Sequence, residues 1–354
     1  MNLNQITTLL LIGDDTIIAN SKQRDEVIPI SASFGSFTLV EKSLQVLSRE
    51  FEIVFVSQSR GSAVEEVEKN LERQRLLPFF NHLFTLRDFN MDQVQPEFFT
   101  AIQKYLKLSP ENIVVCGKDY QEAALTPKLT GLKAIWLNPA RLPAPGLFPQ
   151  QDGEVNNIQQ LLSILKKPFL PDMQTCITWY TELGVTHNLL AHVTNVAAIA
   201  YQIALWMEEK GQALNPLLTH RGGITHDLAK LQPQNEKNHA DLAAEFLEQK
   251  GQLELAEIAR RHLIGDLADE ETRPLTWEQK IVNYADKLSE GSQLVSLDER
   301  LTALQNRYPD FAQKIRTNIP LIKGLEVEIL SVLSISPETL NAKLKKALNN
   351  KSIY

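Results

Sequence analysis

Over its first 138 residues the chain alternates short apolar runs with amphipathic stretches, and then the pattern changes. Runs at Thr7–Ile12, Ile53–Val56, Ile113–Val115 and Ala134–Leu137 each end in turn or small polar residues, as buried parallel strands do. Between them, Leu39, Val40, Ser43, Leu44 and Leu47, and later Phe98, Phe99, Ile102 and Leu106, repeat at helical spacing. This alternation predicts a doubly wound α/β domain with a parallel sheet. Pro139, Pro143, Pro145 and Pro149 then mark an irregular stretch, Ile158–Leu165 reads as a closing helix, and Pro168 and Pro171 read as a linker. From 172 onward the strand signal nearly disappears. Helical stripes follow one another at Val193–Ala204, Leu242–Leu247, Leu255–Ala259 and Ile281–Leu288, so an all-α domain is expected. The tail reads as further helices broken at Pro309, Pro320 and Pro337. The expected division is therefore 1–167, 172–305 and a helical C-terminal extension, 306–354.

Length and composition agree with that division. The 354 residues exceed one compact core, and 43% hydrophobic with 22% charged residues is ordinary for a globular chain. Two cysteines, Cys116 and Cys176, exclude a disulfide scaffold and point to a reducing compartment. With no signal peptide legible at Met1 and polar His192, Thr194, Asn195 and Gln202 inside the most apolar stretch, a cytoplasmic protein without a membrane span is expected. Net charge is −7, and the middle segment 172–305 is its acidic part, with 11 Lys and Arg against 20 Asp and Glu. That balance argues against a broad nucleic-acid surface. It suits a small anionic substrate only where a local cation, such as bound metal, offsets it.

Six of the seven histidines fall between 187 and 262. His192, His239 and His262 sit at core spacing beside apolar neighbours, and Asp286 follows Val282 by four. Carboxylates are almost never buried unless paired or bound, so four such stripes imply convergence inside the bundle. His226-Asp227 adds two ligands about 100° apart on a helix, both able to reach one point. Imidazole and carboxylate together suit Mn, Fe, Co, Ni or Zn. His192, His226, Asp227 and Asp286 would serve one ion. Adding His239 and His262 makes six ligands, which suits two ions with Asp227 as the bridge. Two such ions lower the pKa of a water between them, so no serine or cysteine nucleophile is required. Lys230, on the side of Asp227, is placed to neutralise transition-state charge. His220, seven before Asp227, is a candidate to orient a ligand or a structural residue, and His187 has no evident role.

This ordered set, with Ile224-Thr225-His226-Asp227-Leu228-Ala229-Lys230 and Ala285-Asp286-Lys287, resembles the HD superfamily of metal-dependent phosphohydrolases over about 185–305. Asn238-His239-Ala240 and Arg261-His262-Leu263 match the extra histidines of its binuclear members. Lys280–Lys287 and Val295–Arg300 extend the similarity, while Gly222-Gly223 departs from it and is expected to let helices pack closely. The resemblance implies hydrolysis of a small phosphoester or phosphoanhydride, a nucleotide above all. It covers dinucleoside-polyphosphate hydrolases and cyclic-dinucleotide phosphodiesterases alike. A homo-oligomer is compatible with it.

Residues 7–165 resemble the haloacid dehalogenase-like (HAD) hydrolases, with Ile12-Gly13-Asp14-Asp15-Thr16 at the first strand end. Aligned on Thr16, Ile12 stands at the position of the nucleophilic aspartate, and isoleucine forms no aspartyl-phosphate. Gln95-Pro96 replaces Lys-Pro, and Gly117-Lys118-Asp119 with Ala123 replaces the metal-binding acids. A catalytically inactive domain is expected. Two other readings remain: a HAD phosphatase using Asp14 beside a regulatory helical domain, and a non-catalytic metal or nucleotide sensor.

Overall fold

The structure is a computed structural model that describes residues 6–13, 37–58, 63–146, 148–234 and 237–349. Asp14, Asp15 and Thr16 lie outside the described residues. The chain forms two compact units, 1–142 with 150–169, and 143–149 with 170–354.

The first unit is a six-stranded parallel sheet in the order β3-β2-β1-β4-β5-β6. Its strands are β1 (Thr8–Gly13), β2 (Glu52–Ser57), β3 (His82–Thr85), β4 (Ile113–Gly117), β5 (Lys133–Leu137) and β6 (Gly153–Val155). β1 is central, with Leu10 in register with Val54 on one side and Val115 on the other. Alternate residues serve opposite faces, because successive strand side chains point to opposite sides. Leu9, Leu11, Ile53, Phe55, Val114 and Cys116 share one core with α1 (Phe37–Leu47), α2 (Val64–Arg73) and α4 (Leu161–Leu165). Leu10, Ile12, Val54, Val56, Ile113 and Val115 share the other with Phe98, Phe99 and Ile102 of α3 (Pro96–Leu106). Both faces are covered, which is why these strands read as continuous apolar runs. The two strands absent from the sequence reading, β3 and β6, are short. β6 is held where it is by Asp152, whose carboxylate accepts from Lys128 at 2.9 Å, Lys133 at 3.1 Å and the Ala134 amide at 2.8 Å.

The second unit is helical, with one two-stranded hairpin, β7 (Ser289–Glu290) and β8 (Gln293–Leu294). Its helices are α5 (Met173–Leu183), α6 (His187–Glu209), α7 (Pro216–Thr225), α8 (His239–Gln249), α9 (Leu253–Arg260), α10 (Trp277–Lys287), α11 (Leu297–Arg307), α12 (Ala312–Leu333) and α13 (Pro337–Asn349). Side-chain caps start many of them: Asp172, Thr186, Asn215 and Asn238 accept from the helix amides, and Thr276 and Ser296 form capping boxes. α6 is long and apolar enough to cross a membrane, but 67% of that window is buried in the unit's own core.

Two boundaries differ from the sequence reading. The helices of 306–354 are not a separate body, since Ile322, Leu325, Ile329, Leu340 and Leu344 join the core of α6 and α10. Pro320 does not break α12. The buried stripe Ile315, Ile322, Leu325 and Ile329 runs past it, and that burial outweighs the roughly 3 kcal/mol of a proline within a helix. The segment 143–149 also belongs with the helices rather than the sheet. Arg221, fully buried, donates to Pro149 O at 2.8 Å and Pro171 O at 2.6 Å, and Ala144 N donates to the Tyr201 hydroxyl.

The glycine pair 222–223 does allow close packing of α7. A Cβ on Gly223 would stand 2.6 Å from Ala197 Cα and 2.9 Å from its nitrogen, both backbone atoms of α6. On Gly222 it would meet the Ile258 side chain at 2.8 Å, which can rotate. Gly223→Ala should therefore lose about 1–3 kcal/mol in urea unfolding, and Gly222→Ala distinctly less.

Candidate metal centre

Five elements deliver the six predicted ligands to one place. His192 lies in the second turn of α6 and Asp286 in the last turn of α10. His226 is the residue that ends α7, still in helical conformation, and the chain tightens after it, with Leu228 N bonding Thr225 O and Lys230 N bonding Asp227 O. Asp227 therefore sits in a turn rather than within the helix that the sequence suggested. His239 is the first residue of α8, set by the Asn238 cap. His262 is also off-helix, two residues past the end of α9. Its loop is held by Asn283, which donates to Arg261 O at 2.9 Å, and by Lys287, which donates to His262 O.

Asp227 is the hub. Its Oδ2 stands 3.6 Å from His226 Nε2 and 3.9 Å from His192 Nε2. Its Oδ1 stands 3.1 Å from His239 Nε2, 3.3 Å from His262 Nε2 and 3.4 Å from Lys230 Nζ. Asp286 Oδ1 completes the first group, 3.1 Å from His192 Nε2 and 3.8 Å from His226 Nε2. The two oxygens of one carboxylate thus face two separate sets of imidazoles.

The imidazole tautomers point the same way. His226 Nδ1 is 2.9 Å from Gly223 O and His262 Nδ1 is 2.6 Å from Ala259 O. A carbonyl only accepts, so both Nδ1 atoms carry the proton and both Nε2 atoms present lone pairs inward. Among the described residues His226 Nε2 is buried with no hydrogen-bond partner. His262 Nε2 and His239 Nε2 lie 3.2 Å apart, a close approach of acceptors unless a cation or proton lies among them.

The electrostatics follow from burial and neighbours. Burial pushes His226 down to about 3, so it is neutral, as a metal ligand must be. Burial also lowers His239. Burial alone would raise Asp227, but its polar neighbours, the Lys230 ammonium among them, outweigh it and hold the carboxyl well below its usual range. Asp286 is likewise held low against the effect of burial, by Lys287 and His192. His192 goes the other way: burial would lower it, and Asp286 raises it.

A buried, ionised pair of carboxylates with imidazole nitrogens turned inward fits a divalent transition metal. His192, His226 and Asp286, and again His226, Asp227 and His262, place their ligand atoms within 4.8 Å of one another. When bound, such an ion would acidify a water it holds. Lys230, the other predicted catalytic residue, lies beside Asp227 and 3.1 Å from His239 Nε2, with its side chain 38% exposed. His220 lies apart from the centre. It accepts from Arg221 at 2.8 Å and packs edge-on to the Tyr201 and Phe148 rings. His187 begins α6 at the surface. The residue whose role sequence reasoning missed is Lys287. Its ammonium is buried, 3.0 Å from Asp286 Oδ2, and so occupies the carboxylate oxygen turned away from the histidines. Its only signal was a lysine at core spacing directly after Asp286.

A helical unit with His, His-Asp and Asp converging on one buried centre defines a class of metal-dependent hydrolase, and the comparisons agree. The HD domain family matches residues 189–291. The uncharacterized protein MJ0778 of Methanocaldococcus jannaschii is 31% identical over 133 residues, which are 34% of this chain and 78% of that protein. The chain belongs to the HD domain family.

Solved structures similar to part of the chain include HAD-like hydrolases. A 2-haloacid dehalogenase from Pseudomonas syringae is 21% identical over 36% of this chain, with a TM-score of 0.31. A HAD phosphatase from Thermococcus onnurineus is 22% identical over 35%, also at 0.31. The chain spans about half the length of these two proteins, 52% and 55%. A HAD-superfamily hydrolase from Geobacter sulfurreducens is 11% identical, covers 45% of this chain and 98% of its own, and scores 0.32. At these scores the likeness carries no argument, and the fold of the first unit stands on its strand order.

Removing Lys287 leaves the Asp286 carboxylate short of its nearest cation. Lys287→Met should lose roughly 3–5 kcal/mol in urea unfolding of chelator-treated protein, the size of breaking a buried pair. Excess Mn²⁺ should restore part of it, because a bound cation replaces the missing charge.

Proposed function

We propose that the chain is a metal-dependent phosphohydrolase whose helical unit cleaves a small phosphoester or phosphoanhydride, a nucleotide being the substrate class. The observation that carries this is the split of Asp227, Oδ2 toward His192 and His226 and Oδ1 toward His239 and His262. A carboxylate shared between two sets of ligands suits two ions, Mn, Fe, Co, Ni or Zn by donor type. In this reading His192, His226, Asp227 and Asp286 hold one ion, and Asp227, His239 and His262 hold the other. Bound ions supply Lewis acidity and a nucleophile available at neutral pH. The protein's own part is to keep His226 and His239 neutral and the two carboxylates ionised. Lys230 stands half in solvent at the Asp227–His239 edge, where an incoming phosphoryl group would meet a fixed positive charge. The nucleotide assignment rests on the family resemblance. Two buried thiols without a disulfide suit a cytoplasmic setting.

The first unit is read as non-catalytic. Ile12 is buried within the sheet, and a Cβ on Gly117 would lie 3.0 Å from both Ile12 O and Ala123 Cβ, so β1 and β4 pack closely among the described residues. Asp119 accepts from the Glu122 amide at 2.9 Å and Glu122 accepts from Gln58.

Two experiments test this reading. Elemental analysis of protein loaded with excess Mn²⁺ should find two ions per chain, falling to one when His239 and His262 are both replaced by Ala; a wild-type value that stays at one sinks the two-ion assignment. With a generic phosphoester and Mn²⁺, Asp227→Asn should lower turnover on the order of 10²–10³-fold, the scale of removing one fixed group at a reacting centre. Asp14→Asn should leave turnover unchanged, and the reverse pattern would move the activity to the first unit.

A further inference from the structure

His192 differs from the other ligands of its group in how its outer nitrogen is held. His226 and His262 hand their Nδ1 protons to carbonyls in their own chain segments, Gly223 O and Ala259 O. His192 lies mid-helix, where the carbonyls are taken by the helix ladder, so its Nδ1 needs a partner from elsewhere. That partner is Ser289, fully buried on the strand that follows α10, with Oγ 3.3 Å from His192 Nδ1.

The hydroxyl has one proton and two lone pairs. Ser289 Oγ donates its proton to Gly291 O at 2.9 Å and accepts from Asn195 Nδ2 at 2.8 Å. One lone pair is left, and it faces the imidazole. Asn195 stands three residues after His192, on the same face of α6, so one helix presents both groups to the hydroxyl. Ser289 itself is fixed on the hairpin, where it pairs with Leu294, and the next residue, Glu290, accepts from both Arg300 and Arg307 of α11.

We infer that Ser289, oriented by Asn195 and Gly291, is a positioning residue that holds His192 in the Nδ1–H tautomer and so aims its bare Nε2 at the metal centre. Ser289 touches neither metal nor substrate. It acts by leaving its hydroxyl only an acceptor role toward His192. A single short segment thereby supplies the ligand Asp286, its counter-charge Lys287 and the support of His192. The inference rests on the metal reading of the centre.

The test has two parts. In full chain labelled with ¹⁵N-histidine and loaded with diamagnetic Zn²⁺, ¹H–¹⁵N correlation should show the His192 Nδ1 proton held against solvent exchange in wild type and lost to exchange in Ser289→Ala; equal protection in both overturns the proposal. Mn²⁺ titration of the full chain then compares Ser289→Ala with Ser289→Thr. Loss of the outer hydrogen bond of a ligand histidine should weaken the tighter Mn²⁺ site about 10–100-fold in Ser289→Ala. Ser289→Thr keeps the hydroxyl and should stay within a few-fold of wild type. Equal affinity in all three proteins overturns the role of Ser289 and leaves the metal reading standing. A wild-type chain that binds no Mn²⁺ overturns both.

Discussion

The second unit is organised around one buried charge. Asp227 is almost fully enclosed, and an isolated carboxylate there would be untenable. It persists as an anion because histidines from α6, the end of α7, the start of α8 and the loop after α9 surround it, with Lys230 at the rim. Each neighbour must arrive within a few ångströms. Much of the unit's local chemistry serves that requirement. Gly223 brings α7 against α6, Asn238 sets the first turn of α8, and Asn283 and Lys287 tie down the loop that carries His262. Apart from His192, the candidate ligands gather at helix ends and the turns beyond them, where a short shift of the chain re-aims a side chain without breaking a ladder of backbone bonds.

The first unit solves a simpler problem. Its strands are apolar on both sides, and helices from alternating connections cover both faces. In such sheets ligands bind at the carboxyl ends of the strands, where the strand order reverses. Here that reversal flanks β1, whose end carries Ile12 packed toward Gly117 and Ala123.

Much of this was legible before any coordinates. Apolar runs of four to six residues marked β1, β2, β4 and β5, because a strand buried on both faces cannot afford polar positions. Histidines and an aspartate at core spacing marked the centre, because a charge does not enter a core without a partner. The weak strands were not legible: β3 and β6 are too short for a pattern, and β6 depends on Asp152 meeting Lys128 and Lys133. Nor was the fate of Pro320, since helix breaking is a local preference and the stripe that overrides it is packed by residues distant in sequence.

Residue types, spacing and the identity of the six candidate ligands were thus set along the chain itself, where periodicity and the cost of burying charge act over a few neighbours. Which oxygen of Asp227 faces which histidine, the counter-charge of Lys287, the hydroxyl of Ser289 behind His192 and the attachment of 143–149 to the helices arose only on folding. Each of these is a contact between groups far apart in sequence, with a direction as well as a distance. A hydrogen bond or ion pair of that kind depends on orientation fixed by packing, and packing is a property of the assembled core.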